Sequence, residues 1–281
     1  MLVPTSTLVA QAATAHRGIP AFNVITLEHA EAIAQGAEAA GVAVIMQISE
    51  NAVRFHGGRL APIAAATSAV AHSSRAAIAL HLDHVTSEEL LSLAPASGFG
   101  SVMYDGSALP YDENVATTRS AVLFGHTHGL WVESELGAIG GKGGSAGGAH
   151  DPGVRTHPGE AREFVQATGI DGLAVAVGSR HAMTTRDATL DHDLIREIAS
   201  AVDVPLVLHG SSGVSDADLR QAIAGGMVKV NIGTALNRAF TTSVRASLAQ
   251  DERATDPRPY LASARDAMAE VVATLARVIS A

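Results

Sequence analysis

Short apolar runs alternate along this chain with segments whose apolar residues recur every three or four positions. Eight runs read as strands: residues 19–24 (IPAFNV), 42–49 (VAVIMQIS), 76–83 (AAIALHLD), 101–106 (SVMYDG), 130–137 (LWVESELG), 172–179 (GLAVAVGS), 204–210 (VPLVLHG) and 227–233 (MVKVNIG). They are nearly continuous in aliphatic residues, the pattern of parallel strands covered on both faces. The intervening segments predict helices. One runs from Leu27 to Ala40 behind Thr26, and one starts at Ser87 with Glu88 and Glu89 in its first turn. Another runs from Ser215 to Gly225, and the last occupies the tail from Pro257. Eight strand–helix repeats favour a closed (β/α)8 barrel over an open doubly wound sheet. No Gly-x-Gly-x-x-Gly follows the first strand, which weakens a dinucleotide-binding reading. With no linker in view, residues 1–281 are expected to form one α/β domain.

One stretch fits neither pattern. Residues 137–159, GAIGGKGGSAGGAHDPGVRTHPG, are too rich in glycine for the interior of an element. They follow the fifth strand, on the face where barrels carry their chemistry, so an active-site loop is expected there.

Composition narrows the function. The chain carries 19 basic and 28 acidic residues, a net charge of −9, with no basic tract, so nucleic acid is not expected as a partner. There is no cysteine, so a transition metal must be held by His, Asp or Glu, and 13 histidines are available. No apolar stretch is long enough to span a bilayer and no signal peptide is evident, so a cytoplasmic protein without a membrane partner is expected.

Residues at the C-terminal ends of barrel strands converge on one site. Those ends supply Asn23, Ser49, Asp83 with His84, Glu133 with Glu135, His181, His209, and Asn231 with Gly233 and Thr234. Three imidazoles, His84, His181 and His209, leave Zn2+ open coordination positions, as catalytic zinc sites do. His81 stands two residues before Asp83 and should share its side of the sheet, as support for the site or the core. The glycine- and serine-rich turns GSRHA, HGSSG and NIGT are suited to cradling an anion through backbone N–H groups, with Ser212 and Thr234 adding hydroxyls. A lysine Schiff base is another way in which such a site could act on a carbonyl substrate. The two lysines are Lys142, in the glycine loop, and Lys229, at the start of the eighth strand and so at the wrong end, which favours a metal.

The segments HLDH, VESELGAIGG, VGSRHAM, LHGSSGVSDADLRQAIAGGMVKVNIGT and DPRPYL stand in the order found in class II, zinc-dependent fructose-bisphosphate and tagatose-bisphosphate aldolases, which the chain resembles over nearly its whole length. The resemblance implies a lyase that reversibly cleaves a ketose bisphosphate, or a related ketose phosphate, to dihydroxyacetone phosphate and an aldehyde. It implies one Zn2+ on His84, His181 and His209, with Glu135 at an alternative metal position, and Asp83 as the catalytic acid–base group. Substrate and phosphate contacts fall on Asn23, Ser49, Gly178, Gly210, Ser212, Asn231, Gly233 and Thr234. Arg258 would reach the distal phosphate of a neighbouring subunit, which implies a homodimer or homotetramer, and a monovalent cation (Na+ or K+) is a further expected cofactor.

The chain departs from the family pattern at three places. Lys142 and Gly143 stand where the loop carries acids, leaving His150 or Asp151 as candidates to replace them; Ala182 replaces a glycine; and Gly233 replaces an acid or alanine. Two alternatives remain open at this stage. One is a metallohydrolase in which Asp83 activates a metal-bound water. The other is a non-catalytic phosphosugar-binding homologue.

Overall fold

The computed structural model describes residues 1–136 and 155–281. Eight parallel strands close into a barrel in simple sequential order: β1 (Ile19–Asn23), β2 (Val44–Ser49), β3 (Ile78–Val85), β4 (Ser101–Tyr104), β5 (Trp131–Glu135), β6 (Gly172–Ala174), β7 (Leu206–Leu208) and β8 (Met227–Ile232). Pairing of Ala21 with Asn231 and of Phe22 with Ile232 closes the ring between β1 and β8. All eight expected runs thus contribute a strand to the (β/α)8 barrel.

The helices are α1 (Thr5–Thr14), α2 (Leu27–Ala40), α3 (Glu50–Phe55), α4 (Leu60–Ser73), α5 (Glu88–Leu93), α6 (Tyr111–Thr127), α7 (Pro158–Thr168), α8 (His192–Ala201), α9 (Asp216–Ala224), α10 (Thr234–Gln250) and α11 (Pro257–Ile279). The start signals read from the sequence act as caps. Ser87 Oγ accepts from Leu90 N at 3.3 Å and Ser215 Oγ accepts from Asp218 N at 3.1 Å. At α11 the cap is Asp256, which accepts from Arg258 N at 3.0 Å, with Pro257 in the first turn.

Inside the barrel every second residue of a strand faces the axis. At the lower end Ile19, Ile45, Ala79 and Trp131 pack with Leu8 and Val9 of α1. Two positions further along the same strands stand Ala21, Gln47, His81 and Glu133, and two further still Asn23, Ser49, Asp83 and Glu135. The interior therefore changes from apolar to polar along the axis, and the chemistry collects at the strands' C-terminal ends. The outer faces of the strands pack the helix layer in a larger apolar core around Phe22, Met46, Leu80 and Val132.

Two strands are shorter than the apolar runs that announce them. β6 ends at Ala174, although the run continues to Ser179. Beyond it Ala176 and Val177 bond to loops: Thr156 N donates to Ala176 O at 3.0 Å and Asp191 N donates to Val177 O at 2.9 Å. The segment is buried by loop packing outside the ladder. β7 likewise covers only Leu206–Leu208.

Candidate active site

β3 carries Asp83 and His84 to the mouth of the barrel by breaking its own alternation. Neighbouring residues of a regular strand point to opposite faces. Here the register against β4 shifts between Leu82 and Val85, and His84 takes φ 53°, in the left-handed region. The irregularity lets both side chains line the same cavity, of about 620 Å³. His84 therefore lies within the strand, where the sequence suggests a position just past its end. His181 comes from the long loop after β6 and His209 directly follows β7.

The three rings stand nearly at right angles to one another. Centroids of His84 and His181 are 5.3 Å apart, those of His84 and His209 4.9 Å, and those of His181 and His209 5.6 Å, at interplanar angles of 72°, 87° and 84°. One ligand atom from each lies within 4.8 Å of the others. Hydrogen bonds on the far ring nitrogens set which atom faces inward. His84 Nδ1 lies 2.9 Å from Asp105 Oδ2, which turns its Nε2 to the cavity, 3.9 Å from Asp83 Oδ2. His209 Nε2 lies 2.9 Å from Glu133 Oε1, while its fully buried Nδ1 has no hydrogen-bond partner among the described residues. Burial first, and then the neighbouring His84, hold His209 well below the usual histidine range, so the ring is neutral and has a lone pair to offer.

These features fit a metal ion. An unpartnered nitrogen in a fully buried imidazole is costly unless something binds it. Asp83, Asp105, Glu133 and Glu135 surround the rings, and Lys229 is the one fully buried cation among the described residues. A divalent cation would offset that excess of negative charge. His84, Asp105 and Glu135 form a second group with ligand atoms within 4.8 Å, at the position expected for Glu135.

Asp83 is 2% exposed. Its Oδ2 accepts long hydrogen bonds from Asn23 Nδ2, at 3.4 Å, and Gln47 Nε2, at 3.5 Å. Gln47 also donates to Asn23 Oδ1 at 3.1 Å, which fixes the asparagine. His81 shares Asp83's side of the sheet, with Nε2 4.0 Å from Asp83 Oδ1 and Nδ1 2.8 Å from Ser101 Oγ. Burial, and then Lys229, push His81 well below the ordinary histidine pKa.

Asn23, Ser49, Gly210, Ser212, Asn231, Gly233 and Thr234 line the cavity together with Asp83, His84 and His181. Ser49 Oγ caps α3 by accepting from Ala52 N at 3.2 Å, and Ser212 Oγ accepts from Ala235 N at 3.1 Å in the first turn of α10. Each hydroxyl keeps its own proton to donate. Gly210 has φ 67°, and a Cβ there would come within 2.4 Å of Arg180 O.

Two expected contacts lie elsewhere. Gly178, with φ 121°, is pressed against Thr189 O and shapes the β6 loop instead of lining the cavity. Arg258, at the exposed start of α11, pairs with Asp256 at 2.6 Å and is outside its own chain's cavity. Lys142, His150 and Asp151 fall outside the described residues, as does most of the glycine loop.

Sequence reasoning missed Asp105, although it follows β4 just as the other site residues follow their strands. It also misplaced the head of Lys229. The backbone of this residue is low in β8, but its side chain runs up the barrel interior, where Nζ lies 2.8 Å from Glu133 Oε2 and 2.8 Å from Asn231 Oδ1. It is fully buried and does not line the cavity. A second cavity of about 640 Å³, between α10 and α11, shares only Ser212 with the first and has none of the three histidines in its lining.

The chain is similar to known proteins over nearly its whole length. A family profile described as fructose-bisphosphate aldolase class-II matches residues 3–281. The crystal structure of the YdjI aldolase from Escherichia coli K12 is 32% identical, with 99% of this chain and 97% of that one covered and a TM-score of 0.85. A fructose-bisphosphate aldolase structure from Campylobacter jejuni shares the fold at 21% identity and a TM-score of 0.81, with 99% and 95% of the two chains covered. The match to the family profile runs nearly end to end: the chain belongs to the class II fructose-bisphosphate aldolase family.

Proposed function

We propose that the protein is a zinc-dependent aldolase that cleaves a ketose bisphosphate, or a related ketose phosphate, to dihydroxyacetone phosphate and an aldehyde. The observation that carries this reading is the trio of imidazoles set nearly at right angles, with one ligand atom from each within 4.8 Å of the others and one ring with a buried, unpartnered nitrogen. His84, His181 and His209 would hold the metal, and Asp105 and Glu135 offer an alternative position beside His84. Bound there, Zn2+ supplies Lewis-acid stabilisation for the negative charge that develops on the triose oxygens when the C3–C4 bond breaks.

The chain's own groups do the rest. Asp83 takes the proton from the C4 hydroxyl in cleavage and returns it in condensation. Asn23 and Gln47 hold the Asp83 carboxylate in place from the neighbouring strands. Asn231 binds the triose. The phosphate sits at the start of α10, where Gly210, Ser212, Gly233 and Thr234 offer backbone N–H groups and hydroxyl donors. Ser49 lies on the opposite wall, where a second phosphate would be met by Arg258 from a neighbouring subunit of a homodimer or homotetramer. A monovalent cation beside the phosphate turns completes the proposed cofactors.

The test is metal removal. Exhaustive chelation is expected to abolish cleavage of a panel of fructose, tagatose and related ketose phosphates, and stoichiometric Zn2+ to restore it. Cleavage that survives complete metal removal would sink the proposal. The same panel identifies the substrate.

A further inference from the structure

Beneath the imidazoles lies a polar cluster built on Lys229 and Glu133, neither of which lines the cavity. Lys229 and Glu133 are both fully buried, and Nζ donates to Glu133 Oε2 at 2.8 Å. The other oxygen of the same carboxylate stands 2.9 Å from His209 Nε2. Lys229 also donates to Asn231 Oδ1 at 2.8 Å, and Asn231 Nδ2 lies 3.0 Å from the same His209 nitrogen.

An ammonium group can only donate, and a carboxylate can only accept. Two groups therefore compete for His209 Nε2, the Glu133 carboxylate needing a donor there and the Asn231 amide nitrogen an acceptor, and the charge-assisted bond to the carboxylate is the stronger. Glu133 presents an acceptor to His209, so the ring carries its proton on Nε2 and leaves Nδ1 bare. Lys229 claims the oxygen of the Asn231 amide, so the nitrogen is the end turned toward His209. With Nε2 already donating to Glu133, that amide nitrogen finds no acceptor in the ring, and its hydrogens remain for a ligand in the cavity that Asn231 lines.

We propose that Lys229 is a positioning residue: through Glu133 it sets the proton-bearing nitrogen of His209, and through the amide oxygen it sets the orientation of Asn231. This inference rests on the metal-dependent reading of the site, because it assigns Nδ1 of His209 to the metal.

A buried ion pair that served stability alone would not care which way an amide turns, and that difference gives the test. In Glu133→Gln, Lys229 captures the new amide's oxygen and turns its NH2 toward His209 Nε2. The ring must then accept there, which moves its proton to Nδ1 and blocks the ligating atom. Adding Lys229→Met frees the amide to present its oxygen to His209 again.

Zn2+ affinity, measured by competition with a chromophoric chelator, is therefore expected to fall roughly 10–100-fold in the single Glu133→Gln variant. It is expected to recover by about tenfold in the double variant with Lys229→Met, within the range that such outer partners contribute. A double variant that binds Zn2+ no better than the single one overturns the proposal. Wild-type protein that binds no Zn2+ overturns the functional reading instead. Should a variant fail to fold, nitrogen-15 NMR of the metal-free wild-type histidine rings decides the matter. A proton on His209 Nε2 is the expected result, and a proton on Nδ1 overturns the proposal.

Discussion

His84 sits at φ 53°, a conformation that side chains with a Cβ rarely adopt. The strain has an evident use. Without it, Asp83 and His84 would face opposite sides of β3, one toward the axis and one toward the helices. The broken register brings the Asp83 carboxylate and the inward nitrogen of His84 to 3.9 Å of each other. Asp83→Ala removes the carboxylate without touching an imidazole. It is expected to keep Zn2+ bound, by metal analysis of the purified protein, and to lose turnover by about 10²–10⁴-fold. Near-normal turnover would remove Asp83 from the mechanism. At this scale the sequence is informative about residue type and position: His84, His209, Asp83 and Glu135 stand at strand ends, and only His181 lies well out in the loop after its strand. It is silent about direction. Nothing in the string HLDH signals a bulge, and nothing in MVKVNIG says that Lys229 reaches upward to Glu133.

Elements were more legible where a cap or a period marks them than where burial alone does. Helix α2 runs from Leu27 to Ala40, with the limits its apolar spacing predicts, and Gly41 ends it at φ 67°. Strands six and seven were overextended because a run of Ala and Val looks the same whether a strand or a loop buries it. The loop after β6 also explains a departure from the family pattern. Ala182 occupies φ 59°, where glycine carries no steric penalty. Ala182→Gly is expected to raise stability by up to about 1 kcal/mol, since relief of the left-handed strain exceeds the added freedom of the unfolded chain. Chemical denaturation of the metal-free protein measures it. A loss of stability would mean that the alanine methyl makes a compensating contact.

For the whole molecule, the barrel joins an apolar lower layer to a polar, charged upper one. A metal that binds only the folded chain stabilises it by mass action. Zn2+ at about a hundred times its dissociation constant is expected to add roughly 2.7 kcal/mol. That corresponds to a rise in melting temperature of about 5 °C or more, which chelation should reverse. A melting temperature indifferent to Zn2+ would argue against a site held by three imidazoles. Among the described residues no helix is long and apolar enough to cross a membrane, and the net charge of −9 leaves anion binding to local geometry. That geometry includes the start of α10, where Ser212 Oγ accepts from Ala235 N and Thr234 lines the same cavity.

The axial gradient inside the barrel also bears on how such a protein can change. Ile19, Ile45, Ala79 and Trp131 hold the lower layer with α1, two layers away from Asn23, Ser49, Asp83 and Glu135. Substitutions on the rim therefore alter what is recognised while the lower layer goes on holding the barrel closed. A library confined to Asn51 and Arg54, exposed residues of α3 that line the cavity, would sample new aldehyde partners at little risk to folding. Inheritance of one scaffold by enzymes with different sugars is a natural outcome of that division.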